Sequence, residues 1–170
     1  MEILNYLKSI GKLNGGKALD VGAGHGFLAK QLALAGFEVD AVDKETVEDL
    51  GNPKIHQISQ TIQDFEIKPE EYDLVIARNI FPFLPSSEII FQMIDKLYTG
   101  LKSGGVMSFT LFGPRDDWAG KEGMTFIEFD EALVKVPGKK LKAGTEYFLG
   151  PKMNGELKNW HIHHFVIEKL

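Results

Sequence analysis

The sequence predicts an α/β protein with a mostly parallel sheet and helices on both faces, and three observations predict it. Short apolar runs alternate with helically spaced ones from Lys17 onward, the pattern of strands joined by crossover helices. Three glycines, Gly22, Gly24 and Gly26, follow the first apolar run and precede the first helical pattern. In open α/β sheets such a loop lies at the carboxyl end of a strand, where ligands bind. The last two apolar runs are separated only by GPKMNGELKN, whose Gly150-Pro151 and Asn154-Gly155 signal turns and an antiparallel hairpin at one end of the sheet.

Taken in order, strands are expected at Ala18 to Val21, Glu38 to Val42, Lys54 to Ser59, Asp73 to Ala77, Val106 to Phe112, Thr145 to Leu149 and Trp160 to Ile167. A helix fits His25 to Ala35, with Leu28, Leu32 and Ala35 on one face. The clearest helix lies in SSEIIFQMIDKLYTGLKSGG. Ser86 and Ser87 can cap its start, Ile90, Met93, Ile94, Leu97 and Leu101 recur at helical spacing, and Gly104 can end it in a left-handed conformation. Another helix spans Glu128 to Val136. With no internal repeat, low-complexity tract or linker in 170 residues, a single domain, 1–170, is expected.

Composition narrows the function classes. Hydrophobic residues make up 44% of the chain and cysteine is absent, which excludes disulfides, thiolate catalysis and Cys-ligated zinc. The opening MEILNYLKSI, with Glu2 and Lys8, reads as mature sequence rather than a signal peptide. No run approaches the ~18 apolar residues of a spanning helix, so a soluble, cytoplasmic protein with no membrane partner is expected. A net charge of −5 and a pI of about 5.5 offer no attraction to a phosphate backbone, and nucleic acid is not an expected partner. The one basic cluster, Lys135, Lys139, Lys140 and Lys142 in KVPGKKLK, surrounds a Pro-Gly turn signal and reads as a solvated loop.

The glycine loop reads DVGAGHG, residues Asp20 to Gly26. Glycines there permit unusual dihedrals and close approach of backbone to ligand, and amides at the start of the next helix can meet a negative or polar group. Asp43 closes the second strand, where a carboxylate can accept hydrogen bonds from both hydroxyls of a ribose. Together the two suggest an adenosine-containing cofactor. The dinucleotide pattern G-x-G-x-x-G/A requires Gly or Ala at position 27, where this chain has Phe27.

DVGAGHG with Asp43 after the second strand resembles the class I S-adenosylmethionine-dependent methyltransferases. YDLVIARNIFPFLP resembles that family's fourth strand and following loop, and LKSGGVMSF its LKPGG turn and fifth strand. The closing segments LFGPRDDWAG and NWHIHHFVIEKL resemble small bacterial or archaeal members near the tellurite-resistance methyltransferases. The resemblance implies a Rossmann-like seven-stranded sheet of order 3-2-1-4-5-7-6 with the last strand antiparallel. It implies S-adenosyl-L-methionine as cofactor and a small-molecule methyl acceptor, and leaves monomer and homodimer open. By the same resemblance Gly22, Gly24 and Gly26 line the methionine part, Asp20 orients the loop or the cofactor's ammonium, and Asp43, with Lys44 beside it, binds the ribose. Asp64 would accept from the adenine amine, the Phe65 backbone would meet the ring, and Arg78 and Asn79 begin the loop beside the sulfonium. About 16 residues precede the first strand, fewer than in many relatives, so substrate-covering helices are expected to be short or absent.

Methyl transfer from a sulfonium removes charge, so alignment in a water-poor pocket does most of the work. A soft nucleophile, a thiol or a reduced chalcogen oxyanion, needs little or no general base. On the acceptor side Phe81 and Phe83 either wall the pocket or are ordinary core. Phe112, Arg115, Asp116, Asp117 and Trp118 follow the fifth strand; Arg115 could pair with an anionic substrate or with Asp117, and GPRDDWAGKEG has the character of a mobile lid. Candidates for a catalytic group are His25, Asn79 and Arg115, with His25 either a polar contact or base or an indifferent loop position. His161, His163 and His164 alternate across a strand and cannot converge without a bulge, so no metal is expected. Two other readings stay open: a cofactor-binding but catalytically idle module or interaction subunit, and a different Rossmann-type nucleotide oxidoreductase.

Overall fold

The computed structural model describes residues 2–45 and 49–170. Its elements run α1 (Glu2–Ser9), β1 (Gly16–Val21), α2 (Phe27–Leu34), β2 (Phe37–Asp43), β3 (Ile55–Ser59), β4 (Tyr72–Ala77), a 3₁₀ turn (Phe81–Phe83), α3 (Ser87–Gly100), β5 (Leu101–Phe112), α4 (Phe129–Lys135), β6 (Lys139–Pro151) and β7 (Leu157–Glu168). The strands form one seven-stranded sheet of order β3-β2-β1-β4-β5-β7-β6, as the resemblance implied. Neighbours from β3 to β5 pair in parallel, while β7 runs antiparallel to both β5 and β6. A tight turn enforces that reversal: the Lys152 amide donates to the Glu156 carbonyl at 2.7 Å and the Gly155 amide to the Lys152 carbonyl at 3.0 Å.

Central strands are buried on both faces, which explains their unbroken apolar runs. On one face Ala18, Val39, Leu74, Ile76, Val106 and Val166 pack against Leu4 and Leu7 of α1 and Ala29, Leu32 and Ala33 of α2. On the other, Leu19, Val21, Val75, Phe109 and Phe165 pack against Ile90, Ile94 and Leu97 of α3 and Ala132 of α4. Helices therefore cover both faces, as expected.

Ser86 caps α3, its Oγ accepting from the Ile89 amide at 3.3 Å. The helix stops at Gly100 rather than Gly104, because Leu101 already pairs with Tyr72 of β4. Gly104 is left-handed as anticipated, at φ +74°, but it turns the chain within β5, where its amide meets the Lys169 carbonyl at 2.8 Å. The basic cluster is no loop: Lys139, Lys140 and Lys142 belong to β6, with Lys139 facing Glu168 at 3.5 Å and Lys140 donating to the Val136 carbonyl at 2.6 Å.

The helix α1 had no sequence expectation. Leu7 is wholly buried and Leu4 nearly so, burial that stabilises by about 2 kcal/mol per side chain. The Tyr6 hydroxyl donates to the Leu141 carbonyl at 3.0 Å, tying α1 to β6. No described helix is long and apolar enough to cross a membrane.

Candidate functional site

At the carboxyl ends of the strands three cavities share their walls. The first, about 310 Å³, is lined by Val42, Asp43, Lys44, Thr61, Phe83 and Leu84 among others. The second, about 450 Å³, is lined by Asp20, Ala23, His25, Phe27 and Leu28, and shares Val21, Gly22, Arg78 and Asn79 with the first. The third, about 350 Å³, lies over β5, β7 and β6 and shares Ile3 and Arg78 with the second. Arg78 stands at the junction of all three.

Gly22 of the glycine loop lies on the wall that the first two share. Gly22, Gly24 and Gly26 have φ of +72°, +50° and +70°, a region where a side chain costs roughly 1–2 kcal/mol. At Gly24, which with Gly26 and Asp43 lines a smaller cavity of about 50 Å³, an added Cβ would meet nothing within 4 Å, whereas at Gly22 it would press on Ile80 at 3.0 Å. Asp43 holds this shape: one carboxylate oxygen accepts from the Gly24 amide at 2.8 Å and the other from the Glu45 amide at 3.0 Å.

Asp20 is buried at the end of β1 and its Oδ2 has no partner. Burial pushes its pKa up to about 7; the Ala29 amide in the first turn of α2 pulls it down and the Asp43 charge raises it further. An unpartnered buried carboxylate oxygen on the wall of a cavity calls for a cation or a donor. The ammonium of a methionine moiety is such a group, so these residues fit S-adenosylmethionine.

Other expected cofactor residues divide between the cavity and its surroundings. Lys44 lines the first cavity beside Asp43. Asp64 lies on an exposed turn, its carboxylate accepting from the Thr61 hydroxyl at 2.6 Å. The Phe65 amide donates to the Thr61 carbonyl at 3.0 Å and its ring joins the core. The cavity wall there is made by Thr61, Ile62 and Gln63, three residues that no sequence motif singles out. Their only local signal is position, directly after β3. Asn79 has φ +55° and is held by Thr110 of β5, whose hydroxyl accepts from its amide at 2.8 Å and donates to its Oδ1 at 3.1 Å. His25 is exposed on the second cavity's wall.

The expected acceptor residues scatter. Phe83 is exposed and lines the first cavity. Phe81 is fully buried, edge-on to Phe109 at 5.7 Å. Phe112 is buried in a cluster with Trp118 and Trp160. That cluster encloses the Lys158 ammonium, 4.1 Å from the Trp118 ring and 3.9 Å from the Trp160 ring, and paired with Asp116. Asp116 also accepts from the Trp118 and His161 amides, at 3.0 and 3.1 Å, and Asp117 from the Asn159 amide at 2.7 Å. The segment read as a mobile lid is thus clamped to β7. Asp117 is taken by Asn159, and Arg115, exposed, lies over the Tyr147 ring at 5.4 Å.

His161 and His163 share one side of β7, their rings 4.8 Å apart. His163 Nδ1 meets the Thr145 hydroxyl at 2.8 Å and Nε2 the Ile127 carbonyl at 3.0 Å, and burial pushes its pKa down to about 4. His164 takes the opposite face and lines the third cavity.

This sheet order, with ligand cavities at the strand ends, is the fold of the class I methyltransferases. TehB from Haemophilus influenzae superposes with a TM-score of 0.79 at 19% identity, over 99% of this chain and 62% of that one. A putative methyltransferase from Bacillus halodurans superposes at 0.72 and 14% identity, each chain covered completely. The chain belongs to the TehB tellurite resistance protein family, whose model matches residues 3–132. Among curated relatives, the ubiquinone biosynthesis O-methyltransferase of Vibrio atlanticus is 34% identical over 118 residues, 63% of this chain and 48% of that protein. The chain spans about half the length of the curated relatives it matches.

Proposed function

We propose that this chain is a single-domain, cytoplasmic S-adenosylmethionine-dependent methyltransferase acting on a small-molecule acceptor with a soft nucleophile, a thiol or a chalcogen oxyanion. The observation that carries the cofactor half is the buried, unpartnered Asp20 Oδ2 on a cavity wall that Gly22 and Ala23 of the glycine loop share. Family membership and the methyltransferase names of its relatives support the reaction class, and the name of the family supports a chalcogen oxyanion among the acceptors.

When bound, the cofactor supplies an electrophilic methyl group on a positively charged sulfur. Asp20 would hold its ammonium, the loop at Gly22 and Ala23 its methionine backbone, and Asp43, Lys44 and Thr61 the side of the first cavity where ribose and adenine fit. Asn79, fixed by Thr110, would keep the junction shaped for in-line approach, where positioning supplies much of the barrier reduction. Calorimetric titration with S-adenosylmethionine, S-adenosylhomocysteine and NADH tests the reading. Micromolar binding of the first two alone is expected; binding of NADH alone would place the chain among nucleotide oxidoreductases, and binding of none would leave the reading without support.

A further inference from the structure

The third cavity lies outside every residue assigned to the cofactor except Arg78, and its role as a ligand site rests on the methyl-transfer reading. Its floor is a patch of β5, β7 and β6 in register. Ser108 sits beside Val166 and Lys142, Thr110 beside His164 and Gly144, and Ile162 beside Glu146. In the middle row β6 contributes no side chain, and a Cβ on Gly144 would meet nothing within 4 Å. The sheet face is therefore hollow opposite His164, and Ile3 of α1 and Arg78 of the β4 loop close the hollow into the cavity of about 350 Å³.

Thr110 and Thr145 on this wall are hydrogen-bonded, to Asn79 and His163, but His164 Nε2 is not. Among the described residues two buried side-chain polar atoms lack a hydrogen-bond partner: Asp20 Oδ2 and His164 Nε2. They line the two cavities that share Arg78 and Ile3. Glu146 Oε2 lies 3.3 Å from His164 Nε2, but off the line a hydrogen bond needs. Burial holds the His164 pKa below its ordinary value, with Glu146 raising it and Arg78 and Lys142 lowering it. The ring is thus neutral at pH 7, and the charged groups on the wall are Arg78 and Lys142 against Glu146. Apolar surface is supplied by Ile162, Val166 and Phe148. A net positive wall with an apolar floor fits an anion that carries a hydrophobic body, and the volume is in the range of organic ligand pockets. A bare oxyanion would leave most of it to water.

We propose that this hollow is the methyl-acceptor site and that, of the two acceptor classes above, it takes the thiol one, as a small organic anion rather than a bare oxyanion. Its charge is held by Arg78 and Lys142, its body lies over Ile162 and Val166 in the space left by Gly144, and a polar atom beside its nucleophile meets His164 Nε2. His164 is a contact and positioning group, consistent with a nucleophile that needs no general base.

The test uses the full chain saturated with S-adenosylhomocysteine, titrated calorimetrically with thiosalicylate, an aromatic carboxylate bearing a thiol, and separately with selenite, a bare oxyanion. Thiosalicylate is expected to bind at least tenfold more tightly than selenite. Gly144→Leu should abolish that binding and His164→Ala weaken it at least fivefold, while both variants keep their affinity for S-adenosylhomocysteine within twofold. Gly144→Ala, a smaller filling of the same space, should weaken thiosalicylate without lowering the melting temperature, should the leucine variant prove unstable. Equal or tighter binding of selenite would overturn the organic anion. Thiosalicylate affinity indifferent to the Gly144 and His164 variants would overturn the location. Absence of S-adenosylhomocysteine binding at the outset would instead overturn the cofactor reading itself.

Discussion

Asp20 is kept in a state that the protein alone does not favour. An isolated Asp titrates near 3.9, whereas burial raises Asp20 to about 7. Between those values the folded chain binds more protons than the unfolded one, so stability from this group is full below pH ~4 and is lost as pH rises through ~7. Asp20→Asn should therefore raise the melting temperature at pH 8, by the equivalent of up to about 4 kcal/mol, and by far less at pH 4.5. A cationic ligand group favours the ionised carboxylate. Affinity for S-adenosylmethionine should then fall as pH drops below 7 in the native protein and be weak and flat with pH in Asp20→Asn; melts and calorimetry across pH 5.5 to 8.5 check both. Asn79 presents a second local tension. Its positive φ suits Asn and Gly better than other residues; both Asn79→Gly and Asn79→Ala lose the bond to the Thr110 hydroxyl, so Asn79→Ala should be less stable than Asn79→Gly by about 1–2 kcal/mol of backbone strain, read by urea denaturation.

The terminal hairpin and the segment before it illustrate how elements are fastened. Lys158 and Asp116 are almost fully buried and paired inside the Phe112, Trp118 and Trp160 cluster, and burial lowers the Lys158 pKa while Asp116 raises it. Removing one partner of such a pair strands the other charge, at a cost of about 3–5 kcal/mol. Lys158→Met should destabilise by that order and free the 113–123 segment to proteolysis, and adding Asp116→Asn should recover much of the loss. The sequence could show that this segment is rich in Gly and charge, but not that Lys158, 42 positions from Asp116, would reach back to pin it. The same limit explains the rest. The glycine loop, Asp43 and the hairpin are local patterns whose chemistry is carried by neighbours in the chain, so they were legible. The hollow opposite His164 exists only through the register of β5, β7 and β6, and α1 is too short for its two buried leucines, Leu4 and Leu7, to stand out as a period.

At the scale of the whole molecule the sheet order could be named only through resemblance, since periodicity finds strands without saying which are neighbours. What the assembled fold adds is Arg78. Among the described residues no carboxylate pairs with it, and it lines every one of the three cavities. A cation at that junction opposes a charged sulfonium and is indifferent to the neutral thioether left after transfer, a difference of about 1 kcal/mol at a partly solvated separation. S-adenosylhomocysteine should accordingly bind about fivefold more tightly than S-adenosylmethionine, and Arg78→Met should bring the two affinities together; a ratio unchanged by the substitution would remove Arg78 from this role. The protein would then be throttled by its own spent donor, and its throughput in a cell would track how quickly a hydrolase clears that by-product rather than how much fresh donor is supplied.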